Sequence, residues 1–155
     1  MARRKRTSKK VPAKGRLRDM ADRLWSLAVR ADWNHRCAVC GSNPCDAHHL
    51  VPRQNESLRY ELKNGIALCP RHHQFDPQLS PHLNAAGWLQ FLADVWPGTH
   101  TWYVWRVEQG IPQFEGTKNA AYYVQVIQSL RPYVPGEQYV QVVGVRFSAH
   151  LEDSY

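Results

Sequence analysis

The chain has 155 residues with 20 Lys and Arg against 13 Asp and Glu, a formal net charge of +7 and an isoelectric point near 9.5. That length supports one compact domain, or a small domain with an arm, and the positive balance favours a polyanionic partner. No apolar run approaches the roughly 18–20 residues of a membrane-spanning helix, and the basic start leads into no apolar signal core. The chain therefore reads as soluble and intracellular, with no membrane partner.

The charge is uneven. Residues 1–18 carry nine basic residues and no acidic one, leaving eleven basic against thirteen acidic in the rest. Residues 1–15 are polar, cationic and poor in large apolar side chains, the composition of a disordered basic arm. Its Arg3, Arg4, Lys5, Arg6, Lys9 and Lys10 suit tracking of a phosphate backbone without reading bases, with a solubilising tail as the plainer alternative. From Arg16 the pattern changes: Leu17, Met20, Ala21, Leu24, Leu27, Ala28 and Ala31 recur at three- and four-residue steps. That spacing predicts an amphipathic helix ending near Trp33-Asn34.

Residues 36–77 follow on short elements: a cysteine turn, a strand at Ala47 to Val51, a loop to about Lys63, then Gly65 to Leu68 leading into a helix with Pro70 in its first turn. Further helices are predicted around Ala85–Ala93, stopped by Trp96-Pro97-Gly98, over Thr99–Glu108, and over Lys118–Leu130. Trp25, Trp88 and Trp102 fall within these apolar patterns and read as core, so no tryptophan is assigned to substrate. The tail at 132–155 is rich in β-branched and aromatic residues between Gln138 and Phe147, which predicts a strand or a segment that binds a protein partner. The domain plan is an arm at 1–15, one domain at 16–131 with its core at 36–77, and that tail.

Four cysteines and eight histidines carry the chemistry. Cys37-x-x-Cys40 and Cys69-x-x-His72 each present two donors from a short loop, and zinc takes four sulfur or imidazole donors in a tetrahedron. The set reads as a structural Cys3His zinc site in a reducing compartment. His73 and Cys45 compete with His72 for the fourth position.

Half of the histidines lie in two pairs, His48-His49 and His72-His73. The order Cys-x-x-Cys, then His48-His49-Leu-Val-Pro, then Asn64-Gly-Ile-Ala-Leu-Cys-x-x-His-His resembles the HNH endonuclease family over roughly Cys37 to His73. The resemblance implies an α+β fold, with an HNH ββα-metal core and a structural zinc knuckle flanked by helices. It implies that His48 and His73 ligate one catalytic divalent metal (Mg2+, Mn2+, Ni2+ or Zn2+) and that His49 is the general base. A neighbouring backbone carbonyl is expected to set the His49 tautomer. Asn64, grouped with His49 in the catalytic set, would tie the connecting loop and keep His49 oriented without touching substrate.

His48 stands where aspartate is more usual, which makes the site less anionic and shifts preference from Mg2+ towards Mn2+, Ni2+ or Zn2+. His72 stands where zinc-binding members usually carry a fourth cysteine. Asp46 and Asp76 read as carboxylates beside the ligands or in solvent rather than as ligands. Arg53 and Arg71 are candidates for phosphates flanking the cut, with solvated surface arginine as the alternative.

The implied activity is hydrolysis of DNA, with RNA left open, to 5′-phosphate and 3′-hydroxyl ends. The compact size and basic arm resemble small phage-type members, in a bacterial or phage-infected cell. Two chains in a homodimer would set single-metal sites on opposite strands. The competing readings are a non-catalytic zinc-stabilised DNA-binding module and an accessory subunit of a phage DNA-processing complex.

Overall fold

Residues 11–152 are described by the computed structural model, so the arm cations Arg3, Arg4, Lys5, Arg6, Lys9 and Lys10 lie outside the described residues. Among these residues no helix is long and apolar enough to cross a membrane. Two compact units divide the chain: Trp25–Gly116, and a second built from the segments up to Leu24 and from Thr117 onward. The span 16–131, read from the sequence as one domain, is thus shared between them.

Helix α1 (Lys14–Asp32) begins inside the stretch expected to be arm and ends where the Trp33-Asn34 signal placed its stop. Along it Leu17, Met20, Ala21 and Leu24, which fall in the second unit, and Trp25, Ala28 and Val29, which fall in the first, are buried. Strand β1 (Asp46–His49) pairs antiparallel with β2 (Gly65–Leu68), in the register Asp46↔Leu68, Ala47↔Ala67, His48↔Ile66 and His49↔Gly65. β1 ends before Leu50 and Val51, because their amides turn away to bond the Asn64 main chain and side chain.

β2 is buried along its whole length. Its Ile66, Ala67 and Leu68 join Cys37, Ala38, Cys45, Leu50, Cys69, Trp88 and Leu92 in a single hydrophobic cluster. Gly65 is required where α1 meets this strand, since a Cβ there would overlap the Val29 side chain and lie 3.0 Å from the Trp25 ring. Past Pro70 the expected helix shrinks to one wide turn, Arg71–Phe75, closed by a bond from the Asp76 amide to the Arg71 carbonyl.

Helix α2 (Ala85–Val95) starts at Asn84, whose side chain accepts from the Gly87 amide, and α3 (Pro97–Glu108) starts with proline in its first turn. Trp25 and Trp88 are buried and Trp102 is half-buried, in keeping with the core reading.

In the other unit α4 (Ala120–Leu130) is capped by Asn119, and Tyr123, Val126, Ile127 and Leu130 are buried along it. The tail is a correction: it forms α5 (Gly136–Val143) and α6 (Val145–Glu152) instead of a strand. Tyr139 and Val143, four residues apart, are the buried positions of α5. A helix puts both on one face and satisfies its backbone internally, whereas the valine-rich composition reflected only local β propensity.

Candidate metal centres and catalytic cavity

The cysteine turn closes through bonds from the Cys37 amide to the Ser42 carbonyl and from the Gly41 amide to the Cys37 carbonyl, with Gly41 at φ 69°. That turn faces the end of β2, where Cys69 and the following turn deliver the other pair. Cys37, Cys40, Cys69 and His72 bring one donor atom each within 4.8 Å of one another. The separations are 3.6 Å from Cys37 Sγ to His72 Nδ1, 3.2 Å from Cys69 Sγ to the same nitrogen, and 3.9 Å between the sulfurs of Cys40 and Cys69. A tetrahedral zinc with ordinary Zn–S and Zn–N bonds sets its ligands about 3.5–3.8 Å apart, so the donor set fits.

A hydrogen bond with the Ser42 hydroxyl pulls the Cys40 thiol down to about 6, while burial raises Cys37. Cys45 is different: burial pushes it up to about 11, and its thiol donates to the Ser42 carbonyl at 3.0 Å. It stands outside the cluster as a protonated thiol. The far nitrogen of His72 lies 3.8 Å from the Asp76 carboxylate. Asp76 is held below its ordinary value by the amides of Gln78 and Leu79, each at 3.0 Å, so a carboxylate orients the imidazole from behind.

A second centre uses imidazole only. Successive side chains of a strand point to opposite faces, and the His48-His49 pair is split in that way. The His48 ring meets His73 at 5.1 Å, His82 at 5.0 Å and the Trp88 edge at 6.5 Å, whereas His49 stacks on Trp25 at 3.7 Å with 10° between planes. Donor nitrogens of His48, His73 and His82 converge within 4.8 Å, with His48 Nδ1 and His73 Nε2 at 3.2 Å. Burial, reinforced by the neighbouring imidazoles, pushes His48 down to about 3, and burial lowers His73 too. Both present lone pairs at neutral pH, as metal ligands must. Behind His73, the Asp46 carboxylate lies 3.7 Å from Nδ1.

His49 Nε2 is 2.9 Å from the Arg59 carbonyl. A carbonyl can only accept, so Nε2 carries the proton and Nδ1 of the neutral ring is left with the lone pair. Asn64 is fully buried; its oxygen accepts from the Val51 amide at 2.7 Å, and its nitrogen donates to the Val51 and Leu58 carbonyls at 3.0 Å each. It closes the loop that carries Arg59 and thereby the carbonyl that holds His49. Residues of the imidazole centre, His49 and Arg53 line one cavity of about 680 Å³. Arg71 lies outside that lining and is 3.4 Å from Asp76.

Residues 37–76 match the family model for HNH endonucleases. This segment belongs to the HNH endonuclease family. No curated protein and no solved structure matches the chain. The matched HNH segment covers the cysteine centre, His48, His49, Asn64 and His73, but two residues of the site lie beyond it. His82 was missed because it follows His73 by nine residues in a stretch with no ligand spacing of its own. Ser80 brings it in: the buried hydroxyl donates to the His73 carbonyl at 2.8 Å and accepts from the His82 amide at 3.2 Å. Trp25 was read as core stripe, which it is, yet its ring is also the platform for His49, anchored by an indole bond to the Glu61 carbonyl at 3.1 Å.

Proposed function

We propose that this HNH nuclease hydrolyses phosphodiester bonds of DNA at the imidazole centre, with His49 as general base and zinc in the cysteine centre as a structural element. The observation that carries the reading is the fixed His49 tautomer beside three converging imidazoles on one cavity. A structural cluster alone has no use for a fourth imidazole whose tautomer is fixed by a backbone carbonyl.

His49 Nδ1 takes a proton from the water that attacks phosphorus. The bond from phosphorus to the 3′ oxygen breaks, the departing oxygen takes a proton from solvent, and the products carry 5′-phosphate and 3′-hydroxyl ends. As His49 becomes cationic, the Trp25 face stabilises its charge, and the Arg59 carbonyl keeps the ring aimed. His48, His73 and His82 would hold a divalent cation, which when bound would supply positive charge that stabilises the phosphate undergoing cleavage. Arg53 at the rim binds a flanking phosphate. Three imidazoles without a carboxylate ligand favour Ni2+ or Zn2+ over Mg2+.

The test incubates supercoiled plasmid with the purified chain and each divalent metal in turn. Nicking with Ni2+, Mn2+ or Zn2+ that exceeds nicking with Mg2+ is expected. Retained salt-sensitive DNA binding without cleavage under any metal would replace this reading with the zinc-stabilised binding module.

A further inference from the structure

The cavity is larger and less polar than phosphate binding requires. Beside the imidazole centre, the cavity is lined by apolar residues of α2, α3 and the turn before them: Pro81, Ala85, Trp88, Leu89, Leu92 and Tyr103. Trp88 and Leu92 are buried, Leu89 and Tyr103 are half-buried, and Trp88 is itself backed by Phe91 at 5.7 Å. About 680 Å³ is within the range of roughly 300–1,000 Å³ that accepts an organic ligand, whereas one phosphate fills only part of it.

Whatever enters with the phosphate must therefore present an apolar face beside it. In a duplex each base is covered by its neighbours above and below, and only a base outside the stack has a face to offer. Gln54 and Gln74 also line the cavity, and an amide can both donate to and accept from a base edge.

We propose that the apolar part of the cavity receives an unstacked nucleobase next to the scissile phosphate, so that the substrate is a strand that is single or locally unpaired at the cut. This proposal rests on the hydrolysis reading above for the word "scissile", but the base site itself is tested by binding.

The test compares three fluorescein-labelled probes of equal length: oligo(dT), an abasic phosphodiester strand with the same charge, and a blunt duplex. Binding is read by anisotropy with full-length His49→Ala protein in the presence of Ni2+, and cutting with the wild type. Expected are affinity for oligo(dT) at least about tenfold above the abasic strand and cutting of oligo(dT) faster than the duplex. Tyr103→Ala and, separately, Leu89→Ala should each narrow the ratio of oligo(dT) to abasic affinity, with zinc content and circular dichroism verifying the fold. Equal affinity for oligo(dT) and the abasic strand, which needs no variant to measure, would overturn the proposal, as would preferred binding and cutting of the duplex. A chain that cuts nothing yet keeps the tenfold ratio retains the base site and loses only the hydrolysis reading.

Discussion

The cysteine centre and the imidazole centre sit on the same short β-hairpin, yet they are built for opposite ends. The first offers four donors, of which Cys37, Cys69 and His72 are buried; a tetrahedral ion there has its ligand shell filled by the protein. The second offers three imidazoles, with His82 exposed and the cavity open beside them. A filled shell holds structure together, while an incomplete one leaves positions for substrate. One adjacent histidine pair feeds both centres, because His72 belongs to the first and His73 to the second.

The largest difference between them should appear on ligand removal. Cys69→Ser is expected to abolish cooperative unfolding of the Trp25–Gly116 unit, followed by circular dichroism on heating. Zinc binding by small metal-folded domains amounts to about 10–16 kcal/mol, comparable to or above the roughly 5–15 kcal/mol that holds a domain folded. By contrast His82→Ala should leave the melting transition of the zinc-loaded chain in place and weaken Ni2+ binding about tenfold or more, read by calorimetric titration. A His82→Ala chain that fails to fold would erase the distinction.

Chemistry separates the centres next. His49→Ala should lower plasmid nicking by about 10²–10⁴-fold with zinc content unchanged, since its ring belongs to neither ligand set. Asp46→Asn, behind His73 and partly solvated, should cost about tenfold in Ni2+ affinity, at the low end for a group that orients a metal ligand.

Acid should act on the imidazole centre in a defined direction. His48 is lowered from 6.5 to about 3 by burial, so below pH 6.5 the unfolded chain binds a proton that the metal-free folded chain refuses. Its contribution to stability is therefore complete above pH 6.5 and is lost as pH falls towards 3. Urea midpoints of Ni2+-free protein measured across that window should decline, and His48→Gln should decline less.

What the sequence disclosed follows the range of the interactions involved. The Cys37 and Cys69 turns are set by spacing along a few residues, whereas the separate roles of His48, His49 and Asn64 come from the resemblance to the HNH family and not from spacing. His82 reaches the metal centre through a bond network centred on Ser80, and Trp25 reaches His49 from another element, where spacing carries no message. The tail from Gln138 to Phe147 misled for a related reason: valine content reports local preference, while the burial of Tyr139 and Val143 on one helical face depends on tertiary packing.

The two-centre account is tested most directly by native mass spectrometry of the purified chain, before and after brief chelation and Ni2+ reloading. It predicts one zinc that survives chelation and one exchangeable metal, with His48→Ala losing only the exchangeable ion and Cys69→Ser losing the resident zinc. A single metal per chain, or both metals leaving together in His48→Ala, would contradict the division into a closed structural site and an open catalytic one.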